Sequence, residues 1–251
     1  MTGYFTDTGG ADRPVLLLVH GWGSHSGTWA TLVPFLEQYR VITVDVRGHG
    51  RSGADHGRGF DPEVIAEDLV AVLDLAGVRQ VVAIGHSWGG QLVTALAVTH
   101  ADRVAALVVL DPAYGATSVA DLQVLRDRWY SPDARAALDE FAEGAFVPAT
   151  PAAVRDQVLA GLRATDTRVL ADAFVAMYLT GRSFGLRAAT ERYLGRVTAR
   201  TLSIFADPAA AAWARDRPAA PGSRVDYWPG TGHYLHQEQP ERLARTLTDW
   251  L

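Results

Sequence analysis

The 251-residue chain contains no cysteine. That excludes disulfides, a thiolate nucleophile and cysteine-ligated zinc or iron–sulfur centres. Lysine is missing as well: all 23 basic residues are arginine, so lysine-based catalysis is excluded. No apolar run comes near the roughly 20 residues that span a bilayer, the longest being Ala105 to Leu110 with its flanks. Met1 to Asp7 hold no basic segment leading into an apolar one, so no secretory signal is visible. An excess of positive charge is also lacking. The net charge is −5, with no basic stripe of the kind that accompanies nucleic-acid binding. These absences predict a cytoplasmic protein with neither nucleic-acid nor membrane partners. A homodimer is left open.

Hydrophobic residues make up 48% of the chain and charged residues 20%, an ordinary globular balance with ample material for a large core. Short apolar runs alternate with helical patterns. Val15–Val19, Val41–Val44, Val81–Ile84, Ala105–Leu110 and Thr201–Phe205 are nearly continuous in apolar character. Strands buried on both faces of a parallel sheet look like this. Val225–Trp228 reads as one more. Asp61-Pro62 is a helix start signal, followed by Ile65, Leu69, Val72, Leu73 and Ala76 at helical spacing and stopped by Gly77. Trp88–Thr99 is apolar nearly all round and reads as a buried helix. Pro240–Leu251 reads as a terminal amphipathic one. The alternation predicts a doubly wound, mostly parallel α/β sheet in one domain, 1–251. From 116 to 198 the pattern changes to helices alone (Ala120–Trp129, Pro132–Phe141, Ala152–Leu162, Thr167–Leu179), a helical insertion between two strands.

Three loops carry chemistry. Gly85-His86-Ser87-Trp88-Gly89-Gly90 sits between a strand and a helix. This is G-x-S-x-G in the context that exposes a serine hydroxyl on a sharp turn. The helix behind it points free N–H groups at developing negative charge. His20-Gly21-Trp22-Gly23 follows the first strong strand. It reads either as a tight turn around a buried Trp or as the second half of an oxyanion hole made by the Trp22 and Trp88 N–H groups. Gly230-Thr231-Gly232-His233 follows the last strand and offers His233 as general base, in preference to His236. His25 and His86 lie nearby and read as structural.

Together with Asp45-Val46-Arg47-Gly48-His49-Gly50-Arg51-Ser52 and Glu238-Gln239-Pro240-Glu241, these segments resemble the α/β-hydrolase superfamily over nearly the whole chain. The resemblance implies an eight-stranded sheet, a nucleophile–acid–histidine triad and a helical lid after strand six. It makes the Asp45–Ser52 loop mainly structural. Only Tyr4–Thr8 could form a strand before the His20 strand, so the first strand or strands are expected to be missing. Two carboxylates compete for the acid. Asp207 lies in the usual region but too close to its strand, with Ala209 and Ala210 where the acid is expected. Asp111 ends the Ala105–Leu110 strand, a position some members of the superfamily use, and is preferred.

Trp22, Trp88, Tyr114, Trp129 and Tyr178 are the candidate substrate contacts. Tyr130, Phe141, Phe146, Phe174, Met177 and Phe184 add apolar surface near the site or lid. Such a lining predicts a hydrophobic or aromatic small-molecule substrate. No spacing resembles a metal site and no loop a nucleotide cradle, so no cofactor is expected. The leading expectation is a serine hydrolase of an ester or lactone, with Ser87, His233 and Asp111 (or Asp207) as triad. The alternative is a cofactor-independent dioxygenase like the quinolone ring-cleaving enzymes of the same fold, loosely suggested by Ser24 and His25. An acyltransferase or C–C hydrolase would use the same triad.

Overall fold

The computed structural model describes residues 3–10, 12–54 and 57–251. Seven strands form one sheet: β1 (Phe5–Asp7), β2 (Val15–Val19), β3 (Arg40–Val44), β4 (Val81–His86), β5 (Val104–Leu110), β6 (Thr201–Phe205) and β7 (Arg224–Tyr227). Their order across the sheet is β1-β3-β2-β4-β5-β6-β7. β1 runs antiparallel to β3, and every other pairing is parallel. The resemblance implies eight strands with the first strand or strands missing here; the described residues form seven, and the N-terminal edge is the three-residue β1.

The near-continuous apolar runs are explained by two cores. Alternate residues of one strand serve opposite faces. Leu17, Val19, Ile42, Val44 and Ala83 join a cluster with Ile65, Leu69 and Leu73 of α1 (Pro62–Leu75) and with Leu92, Val93 and Leu96 of α2 (Trp88–Thr99). Leu16, Leu18, Val41, Ile84 and Val108 join the other, with Trp29, Leu32 and with Leu243 and Leu247 of α10 (Pro240–Trp250). The Asp61 signal works differently from the expectation. Pro62 does open α1, but the Asp61 side chain makes no cap to it; its carboxylate accepts from Thr180 Oγ1 at 2.7 Å, outside α1.

Between β5 and β6 the chain forms α3 (Val119–Trp129), α4 (Ala134–Glu143), α5 (Ala152–Ala164), α6 (Thr167–Tyr178) and α7 (Arg187–Leu194). This is the helical stretch expected between two strands, lying after the fifth strand of this sheet; α7 was not anticipated. Its two ends are stitched together. The Ala116 N–H donates to the Gly185 carbonyl at 3.0 Å and the Arg187 N–H to the Ala116 carbonyl at 2.9 Å. α8 (Pro208–Arg215) links β6 to β7, and α9 (Leu235–Glu238) precedes α10. No helix among the described residues is long and apolar enough to cross a membrane.

Register positions the site. Val19 pairs with Gly85, His86 with Leu110, and Leu110 with Ile204. The C-terminal ends of β2, β4, β5 and β6 therefore coincide, and the loops they feed meet over one sheet edge, where open α/β sheets place their ligands. The strand core predicts a test. Leu17 is fully buried and Val124 is 60% exposed. Leu17→Ala should lower unfolding free energy by about 2–5 kcal/mol in urea titrations, whereas Val124→Ala should stay within about 0.5 kcal/mol of wild type.

Candidate active site

Ser87 stands at the junction of β4 and α2, at φ 53°, ψ −117°. A non-glycine residue in this region is strained by about 1–3 kcal/mol and persists only where its surroundings force it. Here they do. A Cβ on Gly85 would overlap the Gly89 carbonyl, and one on Gly89 would overlap the carbonyls of Val19 and His20. Both glycines are thus demanded by backbone packing. The bend is tied down by the Ser87 N–H donating to the Leu110 carbonyl (2.9 Å) and by the Gly90 and Ala113 N–H groups donating to the Ser87 carbonyl (2.9 and 3.1 Å). Trp88 is the first residue of α2, so its N–H has no acceptor within the helix.

The two candidate acids separate by geometry. His233 Nδ1 lies 2.6 Å from Asp111 Oδ2. A carboxylate only accepts, so Nδ1 carries the proton and Nε2 keeps the free lone pair. Asp111 Oδ1 accepts from the Ala206 N–H at 3.0 Å, and Asp111 itself adopts φ 41°. The carboxylate is therefore aimed from a second strained backbone position. Asp207 is exposed and caps α8, accepting from the Ala210 N–H at 2.7 Å. Among the described residues no hydrogen bond joins the Ser87 hydroxyl to His233, although both side chains border one cavity. Such contacts often tighten only when substrate binds.

That cavity measures about 810 Å³. Trp22, Leu125, Phe141, Leu162, Phe174, Met177 and Tyr178 wall it, together with Ser87, Asp111 and His233, and Arg128 and Glu140 also border it as an exposed ion pair at 2.6 Å. Of the five expected substrate contacts, Trp22 and Tyr178 border the cavity; Trp88, Tyr114 and Trp129 do not. The Trp88 indole is fully buried beneath the bend, against the His49 ring. The Tyr114 hydroxyl is bonded to Thr94 below the site. Trp129 is 1% exposed and stacks behind Trp22, ring centroids 4.9 Å apart. Trp22 is held by its Nε1–H, which donates to the Leu170 carbonyl at 2.8 Å. The ion pair Arg128–Glu140 and the wall residue Leu162 were not anticipated, because nothing in a helical pattern says which face will look inward. His25, weighed for an oxygenase, does not border the cavity; its ring accepts from the Gly27 N–H at 3.1 Å and caps a short 3₁₀ turn.

Four other histidines surround the site, all buried. His20 donates from Nδ1 to the Gly21 carbonyl (2.8 Å) and accepts at Nε2 from the Val46 N–H (2.9 Å), which ties the ends of β2 and β3 together. His86 Nε2 donates to the His233 carbonyl at 2.8 Å. Among the described residues His236 has no hydrogen-bond partner at either ring nitrogen, and it packs between Trp29 and His86, with centroids at 4.3 and 4.5 Å. Burial favours their neutral forms, pushing His20 and His236 down to about 3, His49 to about 4, and His86 well below the ordinary value.

A family model of the alpha/beta hydrolase fold matches residues 14–207. Epoxide hydrolase A of Mycobacterium tuberculosis is 34% identical over 127 residues, 49% of this chain and 39% of the relative. A non-heme haloperoxidase of Rhodococcus erythropolis is 44% identical over 104 residues, 40% of this chain and 37% of the relative. The matched segments thus span less than two-fifths of these relatives. Among solved structures, a bromoperoxidase from Bacillus anthracis superposes with a TM-score of 0.84 at 24% identity, covering 98% of this chain and 94% of that one. An enol-lactonase from Burkholderia xenovorans gives 0.82 at 20% identity, covering 98% and 95%. At these identities the likeness is one of fold.

The buried imidazoles make a pH prediction. Between its folded value and the ordinary one of 6.5, each such histidine is protonated in the unfolded chain but neutral in the folded one. The unfolded state then binds more protons, so stability is fully present above pH 6.5 and falls as pH drops, by up to about 1.4 kcal/mol per pH unit per histidine. His236→Leu removes one such group. Its urea-unfolding free energy should fall less steeply than wild type between about pH 6 and pH 4; an identical slope would show that His236 titrates normally.

Proposed function

The chain belongs to the α/β-hydrolase fold family, and from that premise we propose that it is a serine hydrolase cleaving a hydrophobic or aromatic ester or lactone through an acyl-enzyme on Ser87. One observation carries the reading. An imidazole oriented by a carboxylate at 2.6 Å borders the same cavity as a serine strained on a bend at a helix N-terminus.

Each group then has a role. Ser87 Oγ attacks the substrate carbonyl carbon while His233 Nε2 takes its proton. Asp111 holds the ring's tautomer and stabilises the imidazolium. The Trp22 and Trp88 N–H groups receive the oxyanion. His233 returns the proton to the departing alkoxide. It then takes one from water, whose oxygen attacks the acyl carbon, and hands that proton to Ser87 Oγ as the acyl–oxygen bond breaks, which releases the acid and restores the free serine. The neutral His20, His49, His86 and His236 leave His233 as the imidazole serving as base. Aromatic and aliphatic walls select the acyl or aryl part by burial rather than by hydrogen bonding. Residues 116–198 act as a lid that closes the cavity over one α/β unit.

A fluorophosphonate probe should add to Ser87, located by mass spectrometry of the labelled peptide, and Ser87→Ala should abolish both labelling and aryl-ester turnover. A folded wild-type protein that neither labels nor hydrolyses any ester or lactone would overturn the proposal. Asp111→Asn should reduce kcat by about 10³–10⁴. Asp207→Asn removes a cap acceptor and should cost about 1 kcal/mol of stability or less with turnover nearly intact. The reverse pattern would move the acid to Asp207.

A further inference from the structure

The segment after His233 makes contacts that the triad does not explain. Glu238, at the end of α9, has no cationic partner among the described residues; its two carboxylate oxygens are spent on two different parts of the molecule. Oε2 accepts from the Gly232 N–H at 2.7 Å, the backbone group next to His233. Oε1 accepts from the Thr150 hydroxyl at 3.1 Å. Thr150 is 5% exposed and lies in the loop between α4 and α5. Its hydroxyl also accepts from the Val147 N–H at 3.1 Å, and Val147 borders the cavity.

The packing at Gly232 points the same way. A Cβ there would lie 2.7 Å from Glu238 Oε1, 3.0 Å from Thr150 Oγ1 and 3.2 Å from Val147 Cγ2. The His233 loop, the carboxylate and the helical insertion thus meet at one point, where a Cβ would push the Glu238 carboxylate out of place. A second tie runs alongside. Gln237 Nε2 donates to Gln157 Oε1 on α5 at 2.8 Å, and Gln157 Nε2 donates to the Gly27 carbonyl at 3.1 Å.

We propose that Glu238 is a positioning residue that latches the Val147–Thr150 loop of the lid to the backbone beside His233, so that the wall of the cavity and the height of the general base are set by one carboxylate. The inference rests on the hydrolase reading for its catalytic consequence. Both oxygens of an ionised carboxylate are needed, because each serves a different donor. A substrate that displaces the 147–150 loop pulls on Oε1, and through Oε2 on the Gly232 amide. Bulky acyl groups are thereby opposed through the base as well as through the wall. Small errors in the placement of a catalytic group carry large rate penalties.

The latch is tested with Glu238→Ala, Glu238→Gln and the near-isosteric Thr150→Val. Hydrogen exchange of residues 229–239 and 145–151, followed by mass spectrometry, reads it without turnover. Glu238→Ala should speed exchange about tenfold in both segments, and Thr150→Val in 145–151 alone. In aryl-ester assays Glu238→Ala should lower kcat about tenfold for short and long acyl chains alike. Thr150→Val should keep kcat for a short ester within about twofold while shifting KM for a long one severalfold. Glu238→Gln retains one acceptor oxygen and should fall between wild type and Glu238→Ala; with Thr150→Val it carries the test if Glu238→Ala does not fold. Unchanged exchange in 229–239, or kcat within about twofold of wild type in the folded Glu238 variants, overturns the proposal. If wild type hydrolyses nothing yet the exchange pattern holds, the latch stands and the hydrolase reading falls.

Discussion

Backbone crowding at the end of β4 is the constraint from which the site follows. Gly85 lies against the Gly89 carbonyl, Gly89 against the carbonyls of Val19 and His20, and Gly21 against the ring of His86. Three chain segments approach more closely there than any side chain would permit. Ser87 is left with a positive φ and borders the cavity, at the N-terminus of α2, where the Trp88 N–H has no acceptor within the helix. The strain is local and is carried by the two cores, whose central strands are buried on both faces and do not yield.

Charge is handled with the same economy. The site contains several imidazoles, and burial keeps four of them neutral. Among the described histidines around the site, His233 is the one paired with a carboxylate, at 2.6 Å. The neutral rings still do structural work: His20 joins two strand ends and His86 holds the His233 carbonyl. Among the described residues His236 has no hydrogen-bond partner at either ring nitrogen, and His49 has none at Nε2. Around this centre the α3–α7 segment supplies the apolar wall, pinned by Trp22 to Leu170, by Thr150 to Glu238 and by Gln157 to Gln237.

Much of this could be read from residue order. The apolar runs located the strands because both faces are buried and no alternation is needed. The glycines around Ser87 marked the bend because only they fit it, and His233 stood out in a glycine-flanked loop after the last strand. The short segment before the His20 strand marked the sheet as reduced at its first edge, and the described residues form seven strands. Aromatic content was a poor guide to the cavity. Trp88, Tyr114 and Trp129 have the same chemistry as Trp22 and Tyr178 but point into the core, and which way a helix turns its faces depends on what packs against it.

The linear chain by itself determined the strand–helix alternation, the bend at Ser87 and the candidate base, since each of these rests on local spacing and on the steric needs of neighbouring residues. Tertiary structure alone decided that Asp111 rather than Asp207 meets His233, across 122 positions of sequence, and that Glu238 joins two loops. Contacts of that kind depend on strand register and on a second backbone arriving at hydrogen-bonding distance, and neither is encoded in the composition of the segments that meet.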